Sequence, residues 1–325
     1  MKRVLVTGVT GQIGYYVAER LSAAGDEVYG LERQSTLGRA GPTGALPYQP
    51  VAGDLLDEYS LLTVIDKIQP EEVYNFAAQS FIPESWVQPI LTAQYTGLGV
   101  QRLLEALRRV APRCRFLQAG SSELFAGGAV SPQSEETPIV PRNPYGVAKA
   151  FAFHTVRIYR EQYGLHAVNA IFYTNESPRR SPAFLARKVS QAVAEIRAGK
   201  RTHLALGNLE SRRDWGYTFD YADAAVRILR HEQPEDFVIA TGESRSVEEL
   251  VQTAFQLAGL DFATHVQLDP ALVRPAESLL LVGDARKAAR LLGWRPSVSF
   301  TGLMEILLAN DFRRLGLAFP EDVAR

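Results

Sequence analysis

The chain opens with an uninterrupted apolar run, Val4-Leu5-Val6, that ends in Thr7-Gly8. A run this short and β-branched predicts a strand buried on both faces. Helical spacing follows to about Ala24, and a second strand is predicted from Glu27 to Leu31. Residues 35–50 are rich in Gly, Pro and Thr and read as loop. A third strand leads into Gly53-Asp54-Leu55, and a fourth runs from Glu72 to Phe76. Apolar positions then recur with helical spacing from Leu91 to Arg109, carrying Leu98, Leu103, Leu104 and Leu107 toward a core. Arg115 to Ala119 is the fifth strand, Tyr145 to about Tyr163 a helix, and His166 to Phe172 the next strand. This alternation predicts an α/β fold built on a Rossmann-type, doubly wound parallel sheet.

Past Phe172 the alternation weakens. A helix from about 183 to 198, the run Leu204 to Gly207, and amphipathic helices over Ala285–Leu292 and Leu303–Leu315 predict a smaller, mixed α/β C-terminal domain. We expect residues 1–172 to form the first domain, with about 212–240 returning to it. Residues 173–211 and 241–325 then form the second.

Composition narrows the classes. At 46% hydrophobic and 22% charged, the 325 residues are ordinary for a soluble globular protein. A formal net charge of −1 offers no basic field, so no nucleic-acid partner is expected. No apolar run approaches the ~18 residues of a membrane span. The N-terminus runs straight into a strand without a signal-peptide pattern, and Cys114 is the only cysteine; both fit a cytoplasmic setting. Scattered histidines support no metal site.

The chemistry begins at the first turn. In Gly8-Val9-Thr10-Gly11-Gln12-Ile13-Gly14, the first glycine permits a tight turn, the second lets backbone approach a pyrophosphate, and the third lets helix pack on strand. The helix N-terminus then presents free N–H groups to phosphate. At the end of the second strand Glu32 and Arg33 stand side by side. A carboxylate there accepts from a ribose 2′-OH and favours NAD, whereas an arginine pairs with a 2′-phosphate and favours NADP. Asp54 either meets the adenine edge or caps a helix. Asn75-Phe76-Ala77-Ala78 supplies the small residues that close cofactor approach needs.

The fifth strand delivers Ser121 and Glu123, and Tyr145 and Lys149 share a face of the following helix. A hydroxyl, a phenol and an amine suffice to take the proton from an alcohol, with the ammonium expected to lower the phenol's pKa. Glu123 adds a base for carbon. Arg179, Arg180, Arg212 and Arg213 form the densest basic pairs of the second half and suit a diphosphate.

The segments TGVTGQIG, YNFAAQS, QAGSSELF, PRNPYGVAK, NESPRR, RRDWG, EDFVIATGE, RPAE and GWRP together resemble the extended short-chain dehydrogenase/reductases over nearly the full length. Within that group they are similar to GDP-mannose 4,6-dehydratases. The resemblance implies that Ser121, Glu123, Tyr145 and Lys149 are catalytic. It implies a cofactor held by Gly8, Thr10, Gly11, Gln12, Ile13, Gly14, Glu32, Arg33, Ser35, Asp54, Leu55, Phe76, Ala77 and Ala78 together with Tyr145 and Lys149. It places a GDP-sugar against Ser80, Ser85, Asn175, Glu176, Arg180, Lys188, Leu206, Gly207, Arg213, Arg274 and Glu277, beside Ser121 and Glu123. Relatives form dimers or tetramers, so a homodimer or homotetramer is expected.

Departures from the family pattern stand at Ser121 (usually Thr), Ile13 (usually Asp), Thr174-Asn175 (usually Asn-His) and Glu32 (usually basic or apolar). The family uses NADP(H); Glu32 keeps NAD(H) open, because a carboxylate there repels a 2′-phosphate. The reaction implied is loss of water from the sugar of GDP-mannose to give the 4-keto-6-deoxy sugar. A C4 epimerase or 4-keto reductase would need no carbon base. A non-catalytic nucleotide-sugar sensor would need none of the four.

Overall fold

The computed structural model describes residues 1–37, 45–273 and 280–320. Its centre is a seven-stranded sheet in which every pairing is parallel. Six strands come first in the chain: β1 (Arg3–Thr7), β2 (Glu27–Glu32), β3 (Gln49–Ala52), β4 (Glu72–Asn75), β5 (Arg115–Ala119) and β6 (Ala167–Phe172). Phe237–Ile239 joins outside β6, so the order across the sheet is Phe237–Ile239, β6, β5, β4, β1, β2, β3. The order reverses between β1 and β4, and at such a point the strand ends part to leave a crevice. The glycine turn and Ser121, Glu123, Tyr145 and Lys149 all lie at that crevice.

Helices cover both faces. Val17 and Leu21 of the Gln12–Ala23 helix pack with Ala224 and Ile228 of the Thr218–Arg230 helix, and Ala288 and Trp294 join them. On the other face Leu61 and Ile65 pack with Leu103, Leu104, Leu107 and Val156. This doubly wound arrangement is the one the strand–helix alternation predicts. Leu98 is the exception: it is 40% exposed. It stands about two and a half turns before Leu107, so the two point in opposite directions. The predicted single helix is also divided, into Pro89–Ala93, a wider turn over Gln94–Leu98, and Gly99–Val110.

A separate core joins the Leu185–Arg197, Val247–Leu257 and Phe300–Arg314 helices through Val189, Val193, Leu250, Phe255, Leu303 and Leu307. Arg187 and Asp311, both buried, form a two-pronged ion pair inside it. Short pairings such as Trp215–Tyr217 with Thr174–Glu176 bring this part back against the ends of the main sheet. Among the described residues no helix is long and apolar enough to cross a membrane.

Candidate active site

The crevice has a volume of about 330 Å³. Its floor is the first glycine turn. Gly8 has φ +64, and a Cβ there would lie 2.7 Å from the backbone of Phe76 and Ala77 at the end of β4. Only glycine meets both conditions. A Cβ on Gly14 would run into the Gly8 carbonyl oxygen. Gly11 caps the Gln12–Ala23 helix with no side chain over it and no acidic residue in the first turn, so the helix end is open to phosphate. Gly8, Gly11, Ile13, Gly14, Phe76 and Ala78 line the crevice, while Thr10 is exposed at the turn's tip.

Gln12 also lines it, but its side chain faces inward. Its Nε2 donates to the Asn175 carbonyl at 2.9 Å and to Asn175 Oδ1 at 3.1 Å. Its Oε1 accepts from Ser177 at 2.8 Å and from Thr218 at 3.1 Å. The amides of Gln12 and Asn175 therefore join turn to sugar-side strand. At the end of β2, Glu32 is 3% exposed and accepts from the Tyr48 hydroxyl at 2.9 Å. Arg33 and Ser35 are exposed beyond it. Asp54 Oδ1 accepts from the Leu56 N–H, and Leu55 is buried. The helix cap is Asp57, three residues on, which accepts from Tyr59 and Ser60.

The four predicted catalytic residues meet above this floor. Ser121 caps the short Ser122–Phe125 turn, its Oγ accepting from the Glu123 N–H at 3.2 Å. Its side chain also lies toward Tyr145 and pulls the phenol's pKa down. Asn143 Nδ2 donates to Glu123 Oε2 at 2.7 Å. Lys149 is buried and donates to the Ala119 carbonyl at 2.6 Å.

Their electrostatics differ from the expectation drawn from spacing. The Lys149 Nζ lies 5.6 Å from the Tyr145 ring centroid and contributes nothing to the phenol's shift. Burial pushes the Tyr145 phenol up to about 12; Ser121 pulls it down, the Glu123 charge pushes it up, and Arg180 pulls it down. Burial likewise pushes Lys149 down to about 8. By itself the protein holds a neutral phenol near neutral pH.

The side expected to face the sugar is built from an apolar wall and buried charges. Phe81 and Phe184 meet edge-on with ring centroids 5.4 Å apart, and the Arg180 guanidinium stacks 3.6 Å over Phe184. Arg180 Nε is 3.7 Å from Glu176 Oε2. Burial raises the Glu176 pKa, opposed by Arg180 and then Arg187. Ser80, Asn175, Glu176, Arg180 and Arg213 line the crevice.

Each arginine pair is split. Arg179 stacks 3.4 Å over Tyr15, and Arg212 binds Ser244 and Glu249. Arg212 and Arg213 are consecutive on a strand and so point to opposite faces. Other expected contacts lie apart from the crevice lining. Ser85 is buried and donates to the Ile82 carbonyl at 2.7 Å, and Lys188 donates to the Ala205 carbonyl at 2.8 Å. Leu206 belongs to the second core. A Cβ on Gly207 would lie 2.5 Å from the Leu272 carbonyl oxygen. Arg274 and Glu277 lie outside the described residues.

The family model described as GDP-mannose 4,6 dehydratase matches residues 5–307. The chain belongs to that family. It is 41% identical over 324 residues to GDP-mannose 4,6 dehydratase 1 of Arabidopsis thaliana, covering 95% of this chain and 90% of the relative. Among solved structures it is similar to the UDP-glucose 4-epimerase of Thermus thermophilus in complex with NAD. The TM-score there is 0.83 at 27% identity, over 95% of this chain and 98% of that one. RMD from Pseudomonas aeruginosa, complexed with NADPH, shares the fold with a TM-score of 0.81 at 23% identity, over 97% and 100%.

Sequence reasoning missed Asn143, which bonds to Glu123 from outside the crevice lining, and the lining aromatics Phe81 and Phe184. Asn143 carried a signal: an Asn before Pro144 at a helix start is the pattern of an N-cap. Phe184 carried none, since an aromatic beside a helix reads first as core. Among the described residues no group of three His, Cys, Asp or Glu side chains is arranged to hold a metal ion.

Proposed function

We propose that this chain converts GDP-mannose into GDP-4-keto-6-deoxymannose by removing water. The observation that carries the reading is Glu123. Oxidising and re-reducing a sugar hydroxyl needs Ser121, Tyr145 and Lys149 alone. A carboxylate in the same crevice, hydrogen-bonded through Asn143, supplies what dehydration adds, a base for a C–H proton.

In this reading the turn Gly8–Gly14 holds a dinucleotide's pyrophosphate, as its open helix end and the space kept by its glycines allow. Asp54 and Leu55 face the adenine side, and Tyr145 and Lys149 hold the nicotinamide ribose. A nicotinamide held there would supply a hydride acceptor and donor for the sugar and, in its oxidised form, a positive charge beside Tyr145. Tyr145, as the tyrosinate that this positive charge would favour, takes the C4 hydroxyl proton. Glu123 removes the C5 proton, which the 4-keto group acidifies, and delivers a proton to the departing C6 hydroxyl, so that water leaves. A proton returned to C5 completes the product. Arg180 and Arg213 take the diphosphate.

For the cofactor we favour NADP(H) over NAD(H). The Glu32 carboxylate is withdrawn from solvent against Tyr48, while Arg33 and Ser35 stand exposed for a 2′-phosphate. The chain is also proposed to pair with a second copy. Trp86, Leu98, Val147 and Phe151 are exposed apolar side chains around one groove of about 580 Å³. Sedimentation of a Phe151→Glu variant as a monomer would support that face, and an unchanged oligomer would remove it. The buried free thiol of Cys114 fits a reducing, cytoplasmic compartment.

The deciding experiment incubates pure protein with GDP-mannose and each cofactor and weighs the product. Loss of one water supports dehydration. An unchanged mass with inverted C4 supports an epimerase, and tight binding without turnover supports a sensor. Faster turnover with NAD than with NADP would reverse the cofactor assignment.

A further inference from the structure

Asn143 makes two hydrogen bonds that serve different parts of the site. It stands just before the Pro144–Tyr163 helix and is buried. Its Oδ1 accepts the Gly146 N–H at 2.8 Å, capping the helix that carries Tyr145 and Lys149. Its Nδ2 donates to Glu123 Oε2 at 2.7 Å. The partners fix which end of the amide is which. A backbone N–H needs an acceptor and a carboxylate needs a donor, so the flipped amide would lose both bonds.

The backbone around this amide is tied as well. Val140 N–H donates to the Leu124 carbonyl at 2.8 Å, and Gly127 N–H to the Val140 carbonyl at 2.7 Å. A Cβ on Gly146 would lie 2.8 Å from the Glu123 carbonyl oxygen, so the first turn of the helix presses directly on the Glu123 segment. Glu123 and Tyr145 come from different elements, and Asn143 bonds across the seam between them.

We propose that Asn143 is a positioning residue for the dehydration step, holding the Glu123 carboxylate in register with the helix that carries Tyr145. The proposal rests on the reading of Glu123 as the base at C5. A residue that only capped the helix would be replaceable by any good cap. A residue that positions Glu123 must also donate.

Asn143→Asp separates the two roles. It keeps the size and the cap acceptor but turns the donor into an oxygen facing a carboxylate. With GDP-mannose and cofactor in deuterated water, deuterium uptake at C5 and loss of water should fall together by on the order of 10- to 100-fold. The near-ultraviolet absorbance that reports C4 oxidation should still develop. Asn143→Ser, a good cap without an amide, should fall between the two proteins. Wild-type water loss in Asn143→Asp, or equal losses in C4 oxidation and dehydration, would overturn the proposal. Glu123→Gln run alongside separates the failures. If it still dehydrates, the reading of Glu123 falls and Asn143's role falls with it. If it is inactive and Asn143→Asp is not, only the role of Asn143 falls.

Discussion

The two halves of the crevice are finished to different degrees. On the cofactor side the Gln12 side chain is already paired, in a closed network with Asn175, Ser177 and Thr218. What the glycine turn leaves for a ligand is backbone, the open helix end beside Gly11. On the sugar side, Glu176 Oε2 and Arg180 Nε are buried without a hydrogen-bond partner. Buried charge that lacks hydrogen bonds is costly, and in native proteins it gathers where a ligand completes it. The cofactor half thus behaves as scaffold and the sugar half as an incomplete set of contacts. Damage to the first should remove the cofactor, whereas damage to the second should spare it and weaken substrate.

The largest effect should come from the residue that joins the halves. Tyr145→Phe removes the phenol that takes the C4 proton and should lower kcat by on the order of 10² to 10⁴ while cofactor content stays unchanged. Loss of cofactor from that variant would blur the division. Gly8→Ala should do the reverse. Its positive φ and the 2.7 Å approach to β4 leave no room for a methyl group, so purified protein should lack cofactor and melt lower. Arg180→Ala should raise KM for GDP-mannose by roughly 10- to 100-fold, the size expected for a lost charged hydrogen bond, with cofactor retained.

The smallest effect has an opposite sign. Lys149 is charged and fully buried at neutral pH, its pKa lowered by burial to about 8 from an ordinary 10.5. Because the unfolded chain binds the extra proton more readily, folding carries a penalty on the order of 3 kcal/mol below pH 8. Lys149→Met should therefore be inactive yet melt a few degrees higher at pH 7. The gap should narrow as pH rises from about 8 toward 10.5, where wild type no longer buries a charge its unfolded form would keep. A variant that melts lower at pH 7 would show that the bond to Ala119 outweighs the burial cost.

The cofactor half was the more legible in sequence. Strand, glycine turn and helix follow one another locally, so Gly8, Gly11 and Gly14 could be assigned roles from spacing alone. The sugar half is assembled from segments far apart in the chain, and its errors have that origin. Side-by-side arginines looked equivalent until the strand placed Arg212 against Glu249 and left Arg213 at the crevice. Lys149 and Tyr145 were correctly placed on one helix face. Their spacing could not reveal that burial, and not Lys149, dominates the Tyr145 pKa. The Asn143 bond crosses between two elements and has no sequence period to announce it.

The central claim is that Glu123 makes this site a dehydratase. Glu123→Gln, incubated with GDP-mannose and cofactor in deuterated water, tests it most directly. The account predicts C4 oxidation without deuterium at C5 and without loss of water. Continued release of the dehydrated, deuterium-labelled product would contradict it.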